Sequence, residues 1–145
     1  RNAEYKRCCH DSAVHTPLII TGGAFKGGKK DKRLVSLIDL PATLLDIAGI
    51  SVPPSYMGRS LLNGQENAEE RDSVFIQISE SQCGRAIRTK RYKYSVKARG
   101  DIGFEKPASF VYFEDYLYDL EKDPIEKNNL IKDKEYTGVR KEMRK

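Results

Sequence analysis

The spacing of hydrophobic residues changes partway along this chain, and that change limits its fold more than any other feature. Apolar residues recur at the three- and four-residue intervals of an amphipathic helix at Leu37, Leu40, Leu44 and Ala48. From residue 73 onward, apolar residues alternate with polar ones, which is typical of strands with one covered face. The pattern therefore predicts a domain that combines a helix with an antiparallel sheet.

Proline and glycine set the expected limits of the helix. We predict that it begins at Asp39 or Leu40 and ends just before Gly49, which stands where a helix C-cap is expected. Pro41 then falls in the first turn, where its missing N–H costs nothing. A start at Ser36 would place this proline deeper and distort the helix, so the later start is preferred.

Further elements are predicted on both sides of this helix. Residues 17–21 form a short apolar run that ends at Gly22 and Gly23, which indicates a buried strand. Residues 58–62 are expected to form one helical turn, and the last segment, residues 132–145, is polar with helical character. Three or four strands of a small antiparallel sheet are predicted at residues 73–79, 85–89, 92–96 and 116–120.

Composition excludes some classes of protein and leaves others open. The chain has 145 residues, of which 39% are hydrophobic and 32% charged, values that suit one compact domain with a modest core. It has no apolar run long enough to span a membrane, so no membrane partner is expected. The three cysteines, at positions 8, 9 and 83, form no Cys-x-x-Cys pair and are predicted to be free thiols.

The formal net charge of +5 raises the alternative of a basic module that binds nucleic acid. Residues 88–94 (RTKRYKY) interleave cations with tyrosines, as a nucleic-acid-binding surface would. The acidic region 114–133 interrupts any continuous basic face, and this charge is moderate, so no nucleic-acid partner is expected.

Several ordered motifs carry a resemblance to a known family. Lys6 stands eleven residues before Pro17, in a segment that continues into the apolar run at residues 17–21. Residues 34–50 (LVSLIDLPATLLDIAGI) resemble the pattern Val-Ser-x-x-Asp-x-x-Pro-Thr-Leu-Leu-Asp-x-Ala-Gly, with the proline displaced by one place. Further motifs follow in order: GRSLL at 58–62, RTKRYKY at 88–94, LYDLEKDP at 117–124 and NNL at 128–130. Together they resemble the C-terminal third of a sulfatase of the alkaline phosphatase superfamily.

This resemblance implies an architecture in two parts. Residues 1–62 would belong to the α/β, alkaline phosphatase-like catalytic core and supply one buried strand and a helix. Residues 63–145 would form a small C-terminal α+β subdomain, with the antiparallel sheet and a terminal helix. The chain starts abruptly at Arg1 without an initiator Met, which suggests that a missing N-terminal part of the same protein is its partner. Periplasmic, secreted and cytoplasmic locations therefore stay open.

The resemblance also implies a function, hydrolysis of sulfate esters on a sulfated sugar or an aryl compound, for the full-length enzyme. Lys6 would be the catalytic, sulfate-contacting cation, since an ammonium on a flexible stem can reach a tetrahedral anion. His10, four residues later, is expected to line the substrate pocket. His15 stands where the family often has arginine, and structural hydrogen bonding is expected of it.

The rest of the sulfatase machinery is not recognisable in this sequence. The family's nucleophile is a formylglycine made from Cys or Ser in a Cys-x-Pro-Ser-Arg type motif, and Gly84 and Arg85 after Cys83 do not fit it. Cys83 is therefore expected to be a buried or loop thiol. The Ca²⁺ ligands are expected upstream, no metal site is predicted here, and the chain is expected to be inactive alone.

Two other expectations follow from the resemblance. Phosphonate monoester and phosphodiester hydrolases of the same superfamily share much of this pattern and form the alternative enzyme class. If strands that neighbour residues 17–21 are missing, an apolar sheet edge is left unpaired and oligomerisation through that edge is expected.

Overall fold

The computed structural model describes residues 7–62, 71–79, 82–100 and 103–144. They divide into two compact units, Arg1–Thr16 with Phe75–Lys145, and Pro17–Val74. We call the first the sheet unit and the second the helix unit. The predicted domain boundary between residues 62 and 63 stays a prediction. No helix in the described ranges is long and apolar enough to cross a membrane.

The sheet unit begins with a short helix and contains a four-stranded sheet. Helix α1 is Asp11–Val14. The strands, in spatial order, are β1 (Ser73–Ser79), β2 (Cys83–Thr89), β3 (Tyr92–Lys97) and β4 (Phe113–Asp119). The first two residues of β1 are assigned to the helix unit. A tight connection at residues 90 and 91 joins β2 to β3, which pair antiparallel with Arg88 opposite Lys93. Strands β3 and β4 are also antiparallel, with Tyr94 opposite Leu117. The predicted four-stranded sheet is confirmed.

One face of the sheet carries the core of this unit. Its buried members come from the segment before α1 and from β2, β4 and the residue after β4, and the partly buried Ile76 and Ile78 of β1 pack against them. The buried residues are Cys9, Ala86, Tyr116, Tyr118 and Leu120. A segment that precedes the sheet by many residues is thus packed into its core.

The C-terminal segment is helical, as predicted. A 3-10 helix, Lys134–Tyr136, is capped by Asp133, whose carboxylate accepts a hydrogen bond from the Glu135 N–H at 2.9 Å. It leads into α3, Thr137–Met143. Arg140 of α3 donates to the Ile131 carbonyl at 2.8 Å, which ties the helix to the preceding turn.

The helix unit is organised by α2, Asp39–Ile47, which confirms the predicted start. Pro41 lies in its first turn, and Gly49 follows its end with a φ of 69°, in the left-handed region that glycine adopts without steric cost. The carboxylate of Asp39 is only 2% exposed. It accepts the N–H groups of Ser36 at 2.8 Å and Arg59 at 2.9 Å.

Two predicted elements of the helix unit are absent. Residues 17–21 are unpaired and Ile19 is 89% exposed, so the prediction of a buried strand was wrong for this structure. Within the described ranges, no strand lies alongside this run, and a strand exists only through its ladder partners. Residues 58–62 form no helical turn. The Arg59 N–H bonds to Asp39 of α2, and the Leu61 N–H donates to the Thr43 hydroxyl of α2 at 3.0 Å.

Candidate functional site

The predicted catalytic residue, Lys6, lies outside the described residues. The chain directly after it is attached to the sheet. The Gln82 side chain donates to the Arg7 carbonyl at 2.6 Å, and Cys9 is only 1% exposed within the core. Gly84 of β2 faces this thiol, since a Cβ added at Gly84 would lie 3.9 Å from the Cys9 Sγ.

The predicted substrate-binding residue, His10, packs on two tyrosines of β4. Its ring centroid lies 4.5 Å from that of Tyr116 and 5.7 Å from that of Tyr118. The His10 Nε2 atom is 3.2 Å from the Tyr118 hydroxyl, within hydrogen-bond distance. Burial strongly raises the pKa of Tyr116, so that phenol stays protonated. The His10 ring is thus oriented by the sheet while remaining partly exposed.

A buried charge cluster follows His10 directly. It consists of Asp11 at the start of α1, Arg88 of β2, Lys93 of β3 and Glu126 beyond β4, and we call it the Lys93 cluster. The Lys93 ammonium is completely buried and donates to Asp11 Oδ1 and, at 2.6 Å, to Glu126 Oε1. Arg88 Nε lies 3.3 and 3.2 Å from the two Asp11 carboxylate oxygens. Two cations and two carboxylates balance in charge, as a buried ionic group requires.

The Lys93 cluster sets the protonation state of Asp11. Burial raises the pKa of this carboxyl, but the hydrogen bond and charge of Lys93, joined by those of Arg88, outweigh burial and hold the pKa below its usual range. Asp11 is therefore ionised at neutral pH. Its carboxylate is fully engaged by cations, so it is unsuited to act as a general acid.

Glu126 reaches the cluster from a tight turn after β4. Asp123 N–H donates to the Asp119 carbonyl at 2.8 Å, and Glu126 N–H donates to the Asp123 carbonyl at 3.1 Å. These two bonds close a tight turn around Asp123 and Pro124. Glu126 adopts a φ of 54°, a left-handed conformation that non-glycine residues rarely adopt. The bonds of its carboxylate to Lys93 and to the Asp11 N–H, at 2.8 Å, help to offset the cost of that backbone.

The basic segment 88–94 is largely occupied by these and similar contacts. Lys93 is buried, Tyr94 is 4% exposed, and Arg91 donates to the buried Asp119 carboxylate at 3.0 Å. Central side chains of the segment considered for nucleic-acid binding are therefore buried or paired within the protein. Sequence reasoning missed Lys93 because lysine is normally exposed, and the acids that pair with it are distant in sequence.

The thiols are buried, as predicted for Cys83. Cys83 is 1% exposed at the start of β2, and its Sγ lies 3.3 Å from the Lys106 carbonyl oxygen. Burial raises the pKa of Cys9 to about 11, which makes it a poor nucleophile. The described residues form no group of three or more His, Cys, Asp or Glu side chains placed to hold a metal ion. His15 is exposed, and its backbone N–H donates to the Asp11 carbonyl at 2.9 Å.

Comparison with known families gives a match over nearly the whole chain. The model of the family described as N-sulphoglucosamine sulphohydrolase, C-terminal, matches residues 4–145, a range that includes Lys6. A Delta 4,5-hexuronate-2-O-sulfatase of Bacteroides thetaiotaomicron is 34% identical over 146 residues, which cover 93% of this chain and 28% of that protein. Mouse Arylsulfatase K is 32% identical over 138 residues, covering 87% of this chain and 23% of that protein. The chain thus spans about a quarter of the length of these relatives.

Solved structures that are similar to this chain include a putative sulfatase and a phosphonate monoester hydrolase. A putative sulfatase from Bacteroides thetaiotaomicron aligns with a TM-score of 0.58 and 33% identity, over 73% of this chain and 22% of that one. A structure in complex with its substrate D-glucosamine-2-N,6-O-disulfate has a TM-score of 0.59 and 26% identity over the same shares. The phosphonate monoester hydrolase of Agrobacterium radiobacter aligns with a TM-score of 0.58 and 26% identity, over 83% of this chain and 25% of that one.

Proposed function

This chain belongs to the family described as N-sulphoglucosamine sulphohydrolase, C-terminal, and from that premise we propose that it is the C-terminal portion of a sulfatase that hydrolyses sulfate esters. The family match over residues 4–145 carries this proposal. The proposed substrate class is a sulfated sugar. A hexuronate 2-O-sulfatase among the relatives and a bound glucosamine disulfate in a structural neighbour support that class.

Lys6 is proposed to contact the sulfate group. Charge shifts onto the oxygens of the sulfate and of the leaving alcohol during hydrolysis, and a nearby ammonium stabilises that charge. The attachment of residues 7–11 to the sheet supports this role, because it fixes the part of the chain that directly follows Lys6. His10, oriented by Tyr116 and Tyr118, is proposed to line the pocket beside it.

Calcium and formylglycine are proposed to come from outside this chain. Among the residues that the structure describes, none fits either group: Asp11 and Glu126 are engaged by cations, and Cys83 lacks the motif that formylglycine formation needs. The missing N-terminal part of the same protein is therefore the proposed partner that supplies both, and the chain alone is proposed to be inactive. The association expected through a sheet edge at residues 17–21 loses its basis, because these residues form no strand.

The test uses the full-length protein and measures sulfate release from sulfated monosaccharides and aryl sulfates. Lys6→Ala is expected to lower kcat/KM by about 10²- to 10³-fold, the usual loss when one charge-stabilising donor is removed. Lys26→Ala, in an exposed loop of the helix unit, is the matched control and should keep wild-type activity. Unchanged sulfate release by Lys6→Ala would remove this lysine from the mechanism.

The same assay separates the second candidate function. The likeness to phosphonate monoester hydrolase favours testing aryl phosphonate monoesters beside sulfate esters. Efficient hydrolysis of the phosphonate with no sulfate release would replace the sulfatase proposal with that enzyme class.

A further inference from the structure

Lys93 carries a charge at a fully buried position, where an uncharged side chain would need no ionic partner. It lies near the start of β3, an inner strand of the sheet, and no part of its side chain reaches solvent. Burying an ammonium is costly unless it is paired, and replacing such ionic groups with apolar ones is often neutral or stabilising. A role in specifying geometry therefore explains this lysine better than a contribution to stability alone.

The geometry that the Lys93 cluster specifies is that of Asp11, five residues after Lys6. Glu126 uses both carboxylate oxygens, accepting Lys93 at Oε1 and the Asp11 N–H at Oε2, at 2.6 and 2.8 Å. Lys93 and Arg88 hold the Asp11 side chain at the same time. Backbone and side chain of Asp11 are thus fixed together, which restrains both the position and the direction of the chain.

The contacts on either side of Asp11 continue this attachment toward Lys6. His10 packs on Tyr116 and Tyr118, Cys9 is in the core, and Gln82 holds the Arg7 carbonyl. The Lys93 cluster supplies the charged contacts between residues 7–11 and the sheet. Its loss should therefore loosen residues 7–11 more than the remainder of the sheet.

We propose that Lys93 is a positioning residue for sulfate ester hydrolysis, which holds Asp11 and Glu126 and thereby fixes residues 7–11, the segment that carries His10 and directly follows Lys6. This inference rests on the proposed function. Lys93 does not touch the substrate. Its contribution to the rate passes through the chain that it anchors.

The test compares kinetic constants of full-length variants with and without Lys6. Lys93→Met is expected to lower kcat by about tenfold to 100-fold, since a misplacement of about 1 Å can cost 10²-fold. Lys93→Arg, which keeps the charge, should recover part of the loss. Lys97→Met is the matched control on the same strand, because Lys97 is half-exposed and pairs with Asp115 outside the cluster, and it should keep the wild-type kcat.

The decisive readout is the effect of Lys93→Met in a Lys6→Ala background. If Lys93 acts through the segment that bears Lys6, the double variant should be hardly slower than Lys6→Ala alone. Equal fold losses in both backgrounds, or an unchanged kcat in Lys93→Met, would overturn the proposal. The wild-type protein tests the proposed function separately, since its failure to release sulfate would refute the sulfatase assignment whatever Lys93 does.

A second measurement needs no catalysis and guards against misfolding. Lys93→Met combined with Glu126→Gln removes one cation and one carboxylate, so the remaining Asp11 and Arg88 stay balanced. Hydrogen exchange of the Asp11 amide should accelerate in this variant, while the Leu117 amide, bonded to the Asn129 side chain at 3.1 Å, keeps its protection. Protection of the Asp11 amide equal to that in the wild type would overturn the positioning role. Global unfolding of every variant, including Lys93→Arg, would also overturn it.

Discussion

Replacing Gly58 with alanine is expected to separate residues 58–62 from helix α2. A Cβ at this position would lie 1.8 Å from the Ile38 carbonyl oxygen and 2.6 Å from its carbon. Both are backbone atoms, directly before the first residue of α2, so they cannot move aside as a side chain would. The clash must be relieved by shifting residue 58, which moves the Arg59 N–H away from the Asp39 carboxylate that it meets at 2.9 Å.

The size of the effect follows from these two terms. Overpacking in a well-packed region costs about 1 to 3 kcal/mol. Losing a hydrogen bond to a charged group costs about 1.5 to 3 kcal/mol. Their sum, about 2.5 to 6 kcal/mol, is a large part of the roughly 5 to 15 kcal/mol that stabilises a typical domain.

Native-state hydrogen exchange measures this loss locally. The Arg59 and Leu61 amides donate to Asp39 and Thr43, and they should exchange roughly a hundredfold faster or more in Gly58→Ala. Gly138→Ala is the control, because a Cβ there meets nothing within 4 Å and alanine favours helix α3 by about 1 kcal/mol. Wild-type exchange rates at Arg59 and Leu61 in Gly58→Ala would refute the steric reasoning.

Two further predictions concern titratable groups of the sheet unit. The pKa of Asp11 is lowered on folding from an ordinary value of 3.8, so its stabilising contribution is complete above about pH 4 and is lost as the pH falls through the folded value. Urea midpoints should therefore fall more steeply below pH 4 in the wild type than in Asp11→Asn, and parallel curves would contradict this. Because burial raises the pKa of Cys9 to about 11, this thiol should react with an aromatic disulfide at pH 8 far more slowly in the native protein than in urea. Labelling of native Cys9 at the rate of a free thiol would contradict its burial.

The strands and the main helix were predictable because their signals are local. Alternation over residues 73–79 and the proline, glycine and leucine spacing around α2 follow from backbone geometry alone, and both elements appear where expected. The errors occur where a segment depends on partners. Residues 17–21 have the composition of a strand but no ladder partner among the described strands. In residues 58–62, the Arg59 and Leu61 N–H groups bond to α2.

The candidate site was predictable only in part. The family motif suggested Lys6, and the position of His10 four residues later suggested that residue as well. Both roles stay predictions, although the described residues show the His10 ring oriented by aromatic rings. Nothing local in the sequence marks Lys93 as buried, because Asp11 and Glu126 lie 82 and 33 positions away from it. Its burial is a property of the assembled sheet, in which three separate segments bring their charges together.

The hydrogen bond between Asp11 and Glu126 can form only late in the synthesis of the chain. The two residues are 115 positions apart, and the helix unit is translated between them. At about 5 to 20 residues per second, a ribosome needs on the order of ten seconds to cover that interval. Asp11 has left the ribosome before Lys93 and Glu126 have been synthesised. The segment after Lys6 therefore cannot form its native contacts with these two residues until the last strand and its turn emerge.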